Sequence, residues 1–139
     1  MSETALTVIT DSLQLLVALR DEASIPAAEA QVAIRFLNRM MASLESDGID
    51  LNYTPIDSLD DTITVVDGAI EPIVYMLAVK LAPEYKKTLG GEVLASAVHG
   101  RKTLLNIALT LTETEYPDTL PSGSGNNDSN SDDPFYPGA

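Results

Sequence analysis

The chain has 139 residues, a formal net charge of −13, 45% hydrophobic residues and neither cysteine nor tryptophan. That length holds one hydrophobic core rather than two, and the composition is that of a folded domain. The absence of cysteine excludes a disulfide framework and a thiolate metal site. The acid surplus repels the phosphate backbone and so disfavours nucleic-acid binding through a basic patch, while suiting a surface that nucleic acid must pass without sticking.

No N-terminal stretch joins a basic start to an apolar run, so no signal peptide is read and the protein is expected to be made and kept on the cytosolic side. The longest apolar-rich stretch, Ile70 to Leu81, is broken by Glu71, Pro72 and Lys80, and falls far short of the ~20 apolar residues of a membrane span.

The first helix is predicted over Thr7 to Arg20, with Ile9, Leu13, Leu16 and Val17 on one stripe and Thr7 or Asp11 as its cap. The second begins at Pro26, where a first turn tolerates proline. It carries Ala33, Leu37, Met40 and Leu44 at helical spacing, with Arg35, Asn38, Arg39, Ala42 and Ser46 opposite. Asp47-Gly48 ends it, the glycine supplying a left-handed residue at low cost. From Ile49 to Asp67 the pattern changes: Ile49–Tyr53 and Thr62–Val65 favour short strands, so an extended excursion or small hairpin is expected. Between Arg39 and Lys80 there is no basic residue, whereas Glu45, Asp47, Asp50, Asp57, Asp60, Asp61, Asp67 and Glu71 all fall inside; one face of the domain should be strongly negative. A third helix, about Ala69 to Leu81, presents Ile70, Ile73, Val74, Leu77 and Leu81, tolerates Pro72 in its first turn and stops at Pro83. A fourth, about Leu89 to Leu111, presents Leu94, Ala97, Leu104, Ala108 and Leu111, and Gly100 inside it marks close packing or a bend.

From Glu113 onward there are acids and no bases, and Gly, Ser and Asn dominate Ser122 to Ser131, which cannot bury enough apolar area to offset chain entropy. The terminal Phe135-Tyr136-Pro137 then stands out. The stretch before it reads as a tether and the aromatics as its anchor. The expected architecture is all-α: a four-helix domain over 1–112, with a short extended or β excursion between helices two and three, and a long extended tail over 113–139.

Chemistry is poorly provided for. A nucleophilic site needs a nucleophile beside a base, yet the only histidine is His99, which reads as a surface or interface imidazole. Asp128-Ser129-Asn130-Ser131-Asp132 matches the first ligand positions of a calcium loop, but Asp133 replaces the turn glycine and Ala139 the bidentate Glu, so it is rejected. Gly90-Gly91 and Ser122–Gly125 lack the strand and Lys of a phosphate loop. Asp60-Asp61 reads as part of a solvated face. The basic pairs Lys86-Lys87 and Arg101-Lys102 either decorate helices or meet acids of a neighbouring subunit. No catalytic residue, metal site or cofactor is expected.

The order of these elements, with LESDGI closing the second helix, AIEPIVYMLAVKLAPEY as the third, and the tail YPDTLPSGSGN followed by FYPG, resembles the head-to-tail adaptor, or packaged-DNA stabilisation, family of tailed bacteriophages, which includes the tail accessory factor of short-tailed phages. The resemblance covers essentially the whole chain, and the NNDSNSDD run between the two tail motifs departs from the pattern. It implies a structural virion protein at the portal vertex, or neck, of the capsid, made in the host cytoplasm. Adaptor subunits, usually twelve, form a ring beneath the portal dodecamer. They extend its DNA channel without sequence-specific binding, help retain packaged DNA, and offer a platform to a downstream tail or nozzle protein. The resemblance also implies portal contacts for Tyr116, Pro117, Pro121, Ser122, Gly123, Ser124, Gly125, Phe135, Tyr136 and Pro137. Two readings compete: an acidic helical regulatory domain that binds a cytosolic protein through its tail, and an enzyme of the phage lysis or entry apparatus, which would need a carboxylate pair in a cleft.

Overall fold

A computed structural model describes residues 3–16 and 25–113, which contain four α-helices and no strand: α1 (Ala5–Leu15), α2 (Ala27–Ser46), α3 (Ile70–Leu81) and α4 (Gly91–Glu113). The all-α expectation is met. α3 is the central element, packing on α4, α1 and α2, and α1 also touches α2. The core holds Ile9 and Leu13 of α1, Leu37 of α2, Ile73, Leu77 and Leu81 of α3, and Leu104 of α4, all essentially removed from water. These are the apolar stripes of four amphipathic helices turned inward.

α1 begins two residues before the predicted Thr7, and its cap is Thr4, whose Oγ1 accepts the Thr7 N–H at 3.4 Å. The earlier start is possible because the following loop serves the first turn: Ala5 N–H donates to the Asp61 carbonyl at 2.8 Å and Leu6 N–H to the Leu59 carbonyl at 2.9 Å. Those donors have no partner within a helix. The helix closes at Leu15; positions 17–20 of the predicted span, with Val17, lie outside the described residues. Ser12 is the one buried polar residue among those described. Its hydroxyl donates to the Val8 carbonyl at 2.9 Å and lies 3.1 Å from the Val74 carbonyl, tying α1 to α3.

In α2 the predicted stripe is buried as expected. Pro26 stands one position outside the helix, at the cap. Gly48 has φ of 89°, the left-handed turn predicted for it. The excursion after it forms no hairpin: an isolated antiparallel bridge pairs Thr4 with Thr62, and the remainder is irregular loop. Side chains replace the ladder. Asn38 of α2 accepts from the Tyr53 hydroxyl at 2.7 Å and from Ile56 N–H at 3.1 Å, and its Nδ2 donates to the Ile56 carbonyl at 2.9 Å. Thr64 Oγ1 accepts Thr54 N–H at 2.8 Å and donates to the Asn52 carbonyl at 3.1 Å. Asp61 accepts the N–H groups of Asp57 and Ser58. Ile49, Leu51, Ile56, Ile63 and Val65 are buried against the helices, so the loop is part of the core.

α3 follows a 3-10 turn at Asp67–Ala69 and passes into another at Ala82–Tyr85, so Pro83 ends the α-helix without ending the turn of the chain. Lys86, at φ 53°, closes that turn in the left-handed region. α4 lies against α3 at close range where Gly100 faces Pro72: a methyl at Gly100 would sit 3.1 Å from Pro72 Cα and Cβ. The packing reading of Gly100 is thereby met.

Candidate functional site

α4 spends one stripe on the core, through Ala97, Leu104 and Ala108. The neighbouring stripe is not covered by the described residues. Leu94, Val98, Leu105 and Leu109 are 46, 64, 39 and 53% exposed. Their spacing of i, i+4, i+11 and i+15 places them on one side of the helix, interrupted by the exposed Arg101 and Lys102. Leu94, predicted for the core stripe, therefore belongs to this outer ridge. Exposed apolar residues gathered on one side of a helix mark an interaction site more often than singly scattered ones do.

Two grooves flank the ridge where α4 meets α3. One, of about 520 Å³, is lined by Glu71, Pro72 and Tyr75 from α3 and by Ser96, His99 and Thr103 from α4, with Gly68 and Gly100 among the remaining lining. The other, of about 200 Å³, is formed by Met76, Val79 and Lys80 of α3 and by Ala97, Val98 and Arg101 of α4. Arg101 is fixed by an ion pair with Asp47, Nη2 to Oδ2 at 2.6 Å, across the end of α2. That exposed pair positions the guanidinium more than it stabilises the fold. Arg101 thus meets an acid of its own chain, an option beside the subunit contact weighed for the basic pairs.

His99 lies on the surface in the larger groove. Among the described residues no three acids or histidines gather into a metal-holding group. The acids between residues 45 and 71 are at the surface, Asp61 half-buried, and two of them serve the loop: Asp61 as above, and Asp50 by accepting Asn52 N–H at 2.9 Å. The resolved titration shifts belong to tyrosines. Burial raises Tyr53 well above the ordinary phenol range. Tyr85 is pushed up to about 12, by burial first and then by its hydrogen bond to Glu29 and the charges of Glu29 and Glu84.

All ten sequence-predicted contact residues, Tyr116, Pro117, Pro121 to Gly125 and Phe135 to Pro137, lie outside the described residues, as does the rejected calcium-loop stretch. The helical body supplies what sequence reading missed. Asn38 was placed on the polar face of α2 but clamps the loop, and the outer ridge of α4 was not separated from its inner stripe. A count of exposed positions one residue on from Ala97, Leu104 and Ala108 would have exposed the ridge.

The described residues thus form an all-α body with an exposed apolar ridge on α4. Residues 16–138 match the P22 tail accessory factor family, and the chain belongs to that family. Membership of a phage tail accessory family points to a structural role in the virion, in contact with other virion components, rather than to an enzyme. The matched span includes the positions of all ten predicted contact residues and ends one residue short of the predicted tail's end. A search of curated proteins found no match to the chain. No helix among the described residues is long and apolar enough to cross a membrane.

Proposed function

We propose that the chain is a head-to-tail adaptor: a subunit of a ring, a homododecamer, that docks beneath the portal dodecamer, continues its DNA channel and offers its lower face to the next tail or nozzle protein. The observation that carries this reading is the family match from residue 16 to residue 138, which takes in α2, α3 and α4 and the tail as far as Gly138. The division of labour is a helical domain over 1–112 and a portal-docking tail over 113–139, with Tyr116, Pro117, Pro121 to Gly125 and Phe135 to Pro137 as its contacts.

The physical logic supports a ring. Burying an aromatic side chain stabilises by ~1.5–3 kcal/mol, so one Phe135-Tyr136 anchor holds weakly. Repeated around a symmetric ring, the same anchor gives slow dissociation. The ridge of Leu94, Val98, Leu105 and Leu109 is the apolar surface available for neighbouring virion components. The net charge of −13 suits a channel through which DNA slides during packaging and ejection, because a surplus of acids repels the phosphate backbone. No chemistry is required of the protein in this role.

Deleting Ser122 to Ala139 tests the anchor. The truncated chain is expected to keep the far-ultraviolet circular dichroism of the helical body and to bind the portal protein encoded beside it much more weakly. Unchanged portal affinity would overturn the anchor assignment.

A further inference from the structure

We infer that in the free chain the smaller α3–α4 groove is occupied by the chain's own segment Asp132 to Pro137. Its apolar floor is Met76, Val79, Ala97 and Val98, and its two charged members, Lys80 and Arg101, are both cations. The matching ligand is an apolar or aromatic group beside negative charge. In this sequence two aromatics are adjacent only at Phe135-Tyr136, and Asp132-Asp133 stands two residues ahead of them. Methionine sulfur and an arginine or lysine head group both attract aromatic rings. Arg101 holds Asp47 through one nitrogen, and a guanidinium has donors for a further carboxylate. The larger groove carries Glu71 and repels the same segment. So does most of a surface with 21 acids against 8 bases.

Reach agrees with the chemistry. α4 lines the groove and leads directly into the tail. From Glu113 back to Arg101 is about 18 Å at 1.5 Å per helical residue. From Glu113 on to Phe135, a Gly/Ser-rich chain of that many residues has a root-mean-square span of roughly 25 Å. A tether matched to its span gives an effective concentration of about a millimolar, so even a contact of about millimolar intrinsic affinity fills the groove about half the time. The contact is intramolecular and breaks with salt, because Lys80 and Arg101 are exposed. Its consequence for assembly, that a partner claiming Phe135-Tyr136 must first release them from Val98 and Arg101, rests on the adaptor reading; the contact itself does not.

The absence of native cysteine allows the test on the full chain. A nitroxide attached to a Gly138→Cys variant is expected to erase the amide NMR signals of Met76 to Lys80 and Ala97 to Arg101, and to leave those around Glu29 and Asp50 intact. Adding Val98→Glu, at a 64% exposed position that leaves the core untouched, or Lys80→Glu, is expected to restore the lost signals, as is high salt. Isotope-labelled chain without nitroxide, mixed with unlabelled chain carrying it, is expected to show no loss. Retained signals in the first sample, losses that survive Val98→Glu, or losses in the mixed sample would each overturn the proposal, the last by assigning the groove to a second copy. The portal takes no part, so failure here leaves the adaptor reading standing, and failure of portal binding leaves this contact standing.

Discussion

Replacing Gly100 by alanine sets two effects of known sign against each other. Helix propensity alone favours the substitution by ~1 kcal/mol, because glycine in a helix interior orders more backbone for no side-chain contact. Packing opposes it. The new methyl would lie 3.1 Å from Pro72 Cα and Pro72 Cβ and 3.5 Å from the Pro72 carbonyl oxygen. Carbon pairs prefer about 3.5–4.0 Å, and two of these contacts are to the ring and main chain of a proline, which cannot swing aside. Relief requires α4 to move off α3, along the face that buries Ala97, Leu104 and Ala108. Overpacking of this kind costs ~1–3 kcal/mol, so the net expectation is a loss of about 1 kcal/mol, and a larger loss for Gly100→Val. Urea denaturation followed by circular dichroism measures it. Gly91→Ala is the control, since nothing lies within 4 Å of a methyl there, and it is expected to be neutral or mildly stabilising. If Gly100→Ala gains stability as Gly91→Ala does, the close approach of α3 and α4 is wrong, and the groove and ridge built on that approach lose their geometry.

The loop clamp makes a second prediction: Asn38→Ala removes three hydrogen bonds and leaves Ile56 N–H and the Tyr53 hydroxyl without their acceptor, at a cost of about 2–3 kcal/mol. Tyr53→Phe, which removes one bond, should cost ~1 kcal/mol, and equal urea midpoints for Asn38→Ala and wild type would contradict the clamp. Alkaline stability supplies a third. Tyr85 is raised to about 12 in the folded chain, whereas an unfolded tyrosine ionises near ~10. Between those values the unfolded state binds fewer protons than the folded one, so stability is full below ~10 and falls as pH climbs toward 12. Burial of Tyr53 acts in the same direction. Tyr85→Phe should flatten part of that fall, and an identical pH profile in the variant would remove the Glu29–Tyr85 contact from the account.

The helices were legible because each carries an apolar stripe at helical period. Ala33, Leu37, Met40 and Leu44 are buried where the spacing put them, and so are Ile73, Val74, Leu77 and Leu81. Gly48 and Gly100 were also readable, since a left-handed turn and a close helix contact are what glycine permits. The ends of α1 were not, because its first turn is satisfied by carbonyls of Leu59 and Asp61, more than fifty positions along the chain. Local pattern carries no trace of that. The excursion misled for a related reason. Ile49, Leu51, Ile63 and Val65 alternate as a strand would, but their partners are helix faces, and Asn38 and Thr64 supply the bonds that a sheet would have made. On α4 the apolar residues are distributed over two adjacent stripes, so periodicity alone merged Leu94 with the buried set. The family assignment drew on both the body and the tail, whereas the portal contacts assigned by resemblance all fall in the tail.

The central claim is that this chain is a ring-forming adaptor for a portal, and native mass spectrometry of the chain with the portal protein encoded nearby tests it directly. The account predicts a portal dodecamer that gains a full complement of adaptor subunits, about twelve, and loses them when Ser122 to Ala139 are removed. A portal that keeps its own mass at every salt concentration, with the adaptor chain remaining free, would contradict it and bring forward the reading of an acidic helical domain with a cytosolic partner.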